Sequence, residues 1–293
     1  MVKYASIVEA KYIDENKTHY FVQYKGETFA VNKSHLDEEL TQGSVVEGMI
    51  FEDRNGTKVL QVDLPDIRPG YYGWGEVVDV RRDLGAFVDV GLENKDVVVS
   101  LDVLPENKAL WPKKGNLLYL TYEVDSKNRF WGRLADQEVF HKMMQKSHSD
   151  RVNADVTARV YRIGTAGVNC FTTENYDAFI HQSELLHPVS LGDEIQARII
   201  GVRLDGRVNL STLPRAHEAI DGDAKMIYTL LNQLPSHYLP LHDKSSPEVI
   251  REQLDISKGQ FKRAVGHLLK ERLIVQKNGD GIYLKQDDVM DDE

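Results

Sequence analysis

Apolar and polar residues alternate with a period of two through roughly the first two thirds of the chain, and near Asp221 the period lengthens to that of a helix. The alternating part divides into three passages that repeat at a spacing of about seventy residues. The second passage runs Gly75-Glu76-Val77-Val78-Asp79-Val80, then DLGAFVDVGL from Asp83 to Leu92, then DVVVSLDVL from Asp96 to Leu104. It continues with LLYLTYEV after Gly115 and ends with Arg129 to Leu134. The third, Ala154 to Leu213, carries TARVYRIG, a strand ending in AFIHQSEL, the turn Leu191-Gly192-Asp193-Glu194, then IQARIIGV and GRVNLS. The first, Tyr4 to Val62, is fainter but keeps the order THYFVQY, FAVNKSHL, QGSVVEGMIF, KVLQV. Five short strands with glycine punctuation and no long helix fit a small Greek-key barrel of the oligonucleotide-binding class, which leaves few sheet edges exposed.

Two prolines and a glycine in Pro65-Asp66-Ile67-Arg68-Pro69-Gly70 mark the first joint. Between the second and third passages, Asp136 to His148 places Val139, Phe140, Met143 and Met144 at helical spacing, which predicts a helix packed on a barrel. Past Asp221, Ile227, Leu230, Leu231 and Leu234 predict one amphipathic helix. Ser246-Pro247 opens a second helix, through Val249, Ile250 and Leu254. Ser257 and Gln260 form a capping box for a third, whose apolar stripe is Phe261, Ala264, Val265, Leu268 and Leu269. A hairpin turning at Asn278-Gly279-Asp280-Gly281 closes the series, and three helices with such a hairpin predict a winged helix.

The expected fold is therefore mainly β with a C-terminal α+β unit: tandem five-stranded OB-fold barrels followed by a winged-helix domain. The expected limits are a degenerate barrel over 1–64, barrels over 71–135 and 151–214 with a helical linker over 136–150, a winged helix over 220–286, and an acidic disordered tail over 287–293.

The 293 residues carry a formal net charge of -10, which by itself argues against a nucleic-acid partner. Five of those charges sit in the tail, at Asp287, Asp288, Asp291, Asp292 and Glu293, so the distribution matters more than the sum. No apolar run is long enough to span a bilayer, and Met1-Val2-Lys3-Tyr4 leads straight into a strand without a secretory stretch. Cys170 is the only cysteine, which excludes an internal disulfide and a cysteine-based zinc cage. A cytoplasmic protein without membrane attachment is therefore expected, and a monomer.

In DLGAFVDVGL, alternation sends Ala86, Val88 and Val90 to one face and Phe87 with Asp89 to the other. A large ring on the polar face meets either a neighbouring domain or a ligand. Arg129 follows Asp125 around a turn, and Trp131 lies two residues on, so the same face gathers two aromatic rings and a guanidinium, as single-stranded nucleic acid requires. Arg81, Arg82, Lys113 and Lys114 add positive charge nearby in sequence. His181 points to the same side as Phe179 and either contacts a base or caps its strand. In the third helix Lys258, Lys262, Arg263 and Lys270 lie opposite the apolar stripe, a face suited to a duplex groove, to RNA phosphates or simply to water. No Walker loop, dinucleotide fingerprint, HExxH or kinase motif is present, and a Cys170–His181 dyad has no orienting third group. An enzyme, a cofactor and a metal are not expected.

The pattern G-x-V-x-x-V followed by LGAFVDV, with FIHQSEL, LGDEIQARIIGV and GRVNLS, resembles the S1 RNA-binding domain. Over essentially the whole chain, WGEVVDVRRDLGAFVDVGL, LWPKKG and SKGQFKRAVGHLL resemble the bacterial conserved virulence factor B family. The S1 resemblance implies an RNA face of two aromatics, a His, an Asp and an Arg. The second barrel keeps Phe87, Asp125 and Arg129 but has Leu84 and Ser100 for the first aromatic and the His. The third keeps His181 and Arg207 but has Asn169 near the Phe position and Arg203 for the Asp. The first keeps Phe21. The implied function is post-transcriptional regulation by a non-enzymatic protein that binds single-stranded RNA through several partial sites. A duplex-DNA-binding transcription regulator, and an adaptor on ribosome, polymerase or nuclease, are the alternatives.

Overall fold

The computed structural model describes residues 2–215, 222–277 and 280–285. Strands β1 (Ser6–Glu15), β2 (His19–Tyr24), β3 (Glu27–Asn32), β4 (Val45–Glu52) and β5 (Lys58–Gln61) close into a barrel in the order β1-β2-β3-β5-β4. The second barrel repeats that order with β6 (Gly73–Arg81), β7 (Gly85–Leu92), β8 (Lys95–Ser100), β9 (Leu117–Val124) and β10 (Phe130–Leu134). The third repeats it with β11 (Asp155–Ile163), β12 (Gly167–Thr172), β13 (Asp177–His181), β14 (Glu194–Val202) and β15 (Val208–Ser211). In each, the third and fifth strands pair in parallel and close the barrel. Each first strand also shifts register at one place, Tyr12/Asp14, Val77/Asp79 and Val160/Arg162, which bends a long strand so that it can pair with both neighbours.

The cores follow the alternation. Ala86, Val88 and Val90 are buried in β7, while Phe87 is half-buried and Asp89 exposed on the outer face. The first two barrels share one apolar core, in which the Tyr122 hydroxyl lies 3.6 Å from Met49 Sδ and burial pushes that phenol above its ordinary range. Their seam is polar at its edge: Gln61 donates to Gly91 O (2.8 Å) and accepts from Glu93 N (2.9 Å), and Asn94 donates to Asp53 (2.7 Å). The Pro65–Gly70 joint is packed down, with Ile67 buried and Arg68 O accepting from Thr121 (2.8 Å).

A short helix, α1 (Gln137–Met143), is capped by Asp136 and lies between the second and third barrels. It ends five residues before the sequence pattern suggested: Phe140 is wholly buried, but Met143 is exposed and Met144 is extended. One aromatic does the packing that the stripe was expected to share. Phe140 stacks on Tyr161 (3.9 Å between centroids) and meets Phe171 (5.1 Å) and Tyr119 (5.3 Å), which ties the two barrels together. The turn of the third barrel completes the joint, where Leu191 N donates to Leu110 O (2.9 Å) and Asn116 to Asp193 (3.2 Å).

Leu213–Glu293 forms a separate unit. It contains α2 (Gly222–Gln233), β16 (Tyr238–Leu239), α3 (Pro247–Leu254), α4 (Lys258–Lys270), β17 (Ile274–Lys277) and β18 (Gly281–Leu284), with a sheet ordered β16-β18-β17. Its core joins Ile227, Leu231, Ile250, Phe261, Val265 and Leu268. Ser257 and Gln260 form both bonds of the capping box that starts α4. Leu269, expected in the stripe, is 36% exposed, because four apolar positions already fill the face that α4 turns to the core. The three-helix order and the hairpin make this unit a winged helix. The residues expected to form an acidic tail, 287–293, lie outside the described part.

Candidate nucleic-acid interface

Register, rather than sequence order, assembles the outer face of each barrel. Phe87 pairs with Asp79 on β6 and with Val98 on β8, and Val98 pairs with Trp131 on β10. Paired residues project to the same side of a sheet, so Phe87, Val98 and Trp131 form a continuous half-buried row across three strands, about 10 Å from end to end at ordinary strand spacing. The row is apolar and partly open to water, which suits the stacking of unstacked bases.

Charge is fixed at both ends of it. Asp125 starts the β9–β10 turn; its Oδ1 accepts from Lys127 N (2.8 Å) and Arg129 N (3.0 Å), and its Oδ2 from Arg129 Nε (2.7 Å) and Trp131 Nε1 (3.0 Å). These donors, the Arg129 backbone N–H and the Trp131 indole first, hold the carboxyl far below the usual carboxylate range. Asp125 thus orients Arg129: it stands the guanidinium over the Trp131 ring (5.1 Å) and leaves that cation 59% exposed. At the other end Arg81 lies over Phe87 (4.9 Å) and pairs with Asp79 (3.2 Å).

A cavity of about 600 Å³ opens beside Phe87 and includes a residue that sequence comparison missed, Arg54 of the first barrel. The Arg54 backbone N–H and Nε both donate to Asn94 O (3.1 and 3.3 Å), and its guanidinium approaches Asp96 (3.8 Å) while staying exposed. Nothing in the first passage marks Arg54 out; only the docking of its turn on the β7–β8 hairpin brings it to the second barrel's face. Arg82 is exposed and its carbonyl accepts from Lys108 (2.9 Å), whereas Lys113 and Lys114 lie on the β8–β9 connection next to the joint with the third barrel. Neither Arg82 nor the lysine pair lines the Phe87 cavity.

The third barrel has the same row with different chemistry: Asn169 pairs with Arg162 and with Phe179, and Phe179 pairs with Asn209. The aromatic of this row has moved one strand across, to Phe179 rather than the residue aligned with Phe87. Arg207 is held as Arg129 is, but by a relocated acid. Arg203 occupies the aligned position, and Asp205, two residues later, accepts from Arg207 Nε (2.8 Å) and N (3.1 Å). That ion pair lowers the Asp205 carboxyl to about 2. Asp177, on the same outer face, is 1% exposed; its Oδ1 accepts from the Tyr161 hydroxyl (2.8 Å), while its Oδ2 has no partner among the described residues. Burial raises its carboxyl, with the Tyr161 hydroxyl and Arg207 opposing the shift.

His181 is an exposed strand-end cap. Its Nδ1 accepts from Ser183 N (3.2 Å), and the same role falls to Asn32 and Ser100 at the register-equivalent positions of the other barrels. Because Nδ1 is an acceptor, the neutral ring carries its proton on Nε2, a donor turned away from the cap. Cys170 is wholly buried in the third core, where desolvation raises its thiol, so it offers no nucleophile to His181. In the winged helix, Lys262, Arg263 and Lys270 are exposed on α4 and Lys258 is half-buried at its first turn. In the sheet of the same unit Tyr238 of β16 stacks on Tyr283 of β18 (4.6 Å), with Lys277 over the latter ring (4.6 Å).

Comparison with known proteins matches three family models: "CvfB first S1-like domain" over 72–133, "Virulence regulatory factor CvfB, second domain" over 140–214, and "CvfB-like winged helix domain" over 225–284. The conserved virulence factor B of Staphylococcus epidermidis is 38% identical over 87% of this chain and 85% of its own length. An uncharacterised Bacillus subtilis protein, YitL, is 36% identical over 89% and 87%. Among solved structures, a multidomain protein with nucleic acid binding domains from Streptococcus pneumoniae TIGR4 is 42% identical, with a TM-score of 0.70 over 96% of this chain and 98% of that one.

Proposed function

Because the chain belongs to the conserved virulence factor B family, whose models describe S1-like and winged-helix domains, we propose that it is a non-enzymatic, cytoplasmic, monomeric regulator that binds single-stranded RNA and acts after transcription. The observation that carries this reading is the Phe87–Val98–Trp131 row with Arg129 fixed above its end. An apolar row of aromatic rings stacks bases irrespective of sequence, and a preorganised guanidinium at its edge meets the phosphate between them. A duplex presents neither an exposed base face nor a backbone at that offset. Partial sites on successive barrels, none complete, imply that affinity comes from engaging several at once on one strand. The basic face of α4 then supplies additional phosphate contacts.

The test is a salt titration of binding to single-stranded RNA, single-stranded DNA and duplex DNA. Single-stranded RNA is expected to bind most tightly, and Phe87→Ala or Trp131→Ala to weaken it about 5- to 150-fold, the range set by roughly 1–3 kcal/mol per stacked base. Lys262→Ala with Arg263→Ala is expected to flatten the plot of log K against log salt by about 1.4, close to 0.7 for each lost single-strand contact. Duplex preference lost on that double substitution would favour a DNA-binding regulator. Failure of all three ligands at low salt, with capture of a protein complex that survives nuclease, would favour an adaptor.

A further inference from the structure

A second cavity, about 180 Å³, opens on the outer face of the third barrel and is lined by Phe179, Asn169, Asp177, Arg203, Arg207 and, from α1, Gln137. Its floor is unusual. Asp177 carries a carboxylate oxygen that water barely reaches and that no described residue satisfies. An acceptor in that state is costly to keep, and a ligand that donates to it removes the cost. In the second barrel the position equivalent by register, two residues before Val98, is also an acid, Asp96. It is met instead by Arg54 of the first barrel at 3.8 Å, so of these two acids it is Asp177 that keeps an oxygen without a partner among the described residues.

The rest of the lining defines what would donate. Phe179 offers a half-buried ring at the cavity wall, suited to a planar aromatic group. Asn169 and Gln137 bring amides that both donate and accept. At the mouth, Arg203 is exposed, and Arg207 is oriented by Asp205, so two cations stand where a phosphate would lie. A nucleotide fits this order: ring, polar edge, phosphate. Among the four bases, guanine presents two adjacent donors, its ring N–H and its 2-amino group, beside a carbonyl that an amide N–H can satisfy. Uracil presents one donor between two carbonyls, which a carboxylate repels; adenine and cytosine present an amino group beside a bare ring nitrogen, another acceptor.

Resting on the reading of the protein as an RNA binder, we propose that this cavity is a guanine-selective pocket, in which Phe179 stacks on the base and Asp177 Oδ2 accepts from its Watson–Crick edge. The third barrel thereby gives base preference to a protein whose second barrel binds without it. The residue that confers the preference lies outside the aromatic, His, Asp and Arg positions that identify the S1 face.

The test uses the full chain and fluorescence anisotropy with uridine dodecamers that carry one central guanosine, adenosine or cytidine, or none. The guanosine oligomer is expected to bind about 10-fold tighter than the others, in the range of one well-formed base contact. Asp177→Asn keeps the shape and an acceptor for Tyr161 but puts an amide against the guanine edge, and is expected to bring the ratio close to one without weakening the all-uridine oligomer. Phe179→Ala is expected to lower affinity for the guanosine oligomer by a similar factor. Thermal melting of each variant shows that it is folded; should Asp177→Asn not fold, Asp177→Ser replaces it. A wild-type chain that binds all four oligomers equally, or a folded Asp177 variant that keeps the preference, overturns the proposal and leaves RNA binding standing. Loss of binding to every oligomer at low salt overturns both.

Discussion

Phe140→Ala is expected to cost about 3–5 kcal/mol of unfolding free energy, the usual range for removing a buried aromatic from a core. The reason lies in what Phe140 connects. It is wholly buried among Tyr161, Phe171, Tyr119 and Trp74, the first two from the third barrel and the last two from the second. Its own helix is seven residues long and could not persist without tertiary contacts. Truncation therefore removes the ring and releases α1, exposing the facing aromatic surfaces of two barrels to water. Urea denaturation followed by tryptophan fluorescence reports this directly, since Trp74 lies in the same cluster. The expected curve has a lower midpoint and, where the third barrel opens first, a second transition. A loss below about 1 kcal/mol would mean that the backbone joint at Leu191 and the Asn116–Asp193 bond hold the barrels together unaided.

Gly85→Ala and Gly167→Ala are each expected to destabilise the protein by more than about 4 kcal/mol, in the range that marks a specific structural violation. Gly85 has φ 130° and Gly167 φ 153°, and a β-carbon on them would stand 2.0 Å from Val99 O and 2.1 Å from Ile180 O. The obstacle in both cases is the backbone of the neighbouring strand, which cannot swing aside without breaking the barrel. The two glycines are equivalent: Gly85 pairs with Ser100 and Gly167 with His181, so each lets the chain enter its second strand against the residue that caps the third. Gly115→Ala is the control. It too has positive φ, 88°, but open space surrounds it, and the expected cost is about 1 kcal/mol from backbone strain alone. Thermal melts of the three variants separate the explanations. Equal losses would assign the effect to φ rather than to the close strand approach.

The repeat of five strands was legible because alternation and glycine placement are local properties, read residue by residue. So were the capping box at Ser257 and Gln260, and the outward direction of Phe87. Leu269 and the far end of α1 were misjudged for a common reason: helical spacing says which residues could share a face, but not how much of that face a neighbour covers. The site suffered more than the fold. Aligning the third barrel on the second by sequence put Asn169 in the aromatic position and left the barrel without a platform, whereas its strand register puts Phe179 one strand away on the same row. Arg203 stands in the place of the acid, and Asp205, two residues later, holds Arg207 instead.

What the sequence by itself determined is therefore the periodicity and its consequences: three barrels of one strand order, a winged helix after them, and an aromatic on a polar face beside an Asp–Arg turn. Those depend on the backbone's own repeat and on which side of a strand is apolar, and both are written into neighbouring residues. Tertiary structure alone decided that Arg54 of the first barrel reaches the second barrel's face, that one phenylalanine joins the second barrel to the third, and that Asp177 keeps an oxygen without a partner among the described residues. Each of these is a contact between residues distant in sequence, set by how closed barrels dock. No local pattern carries that information, because the same surface residue is solvated, paired or buried according to what is packed against it.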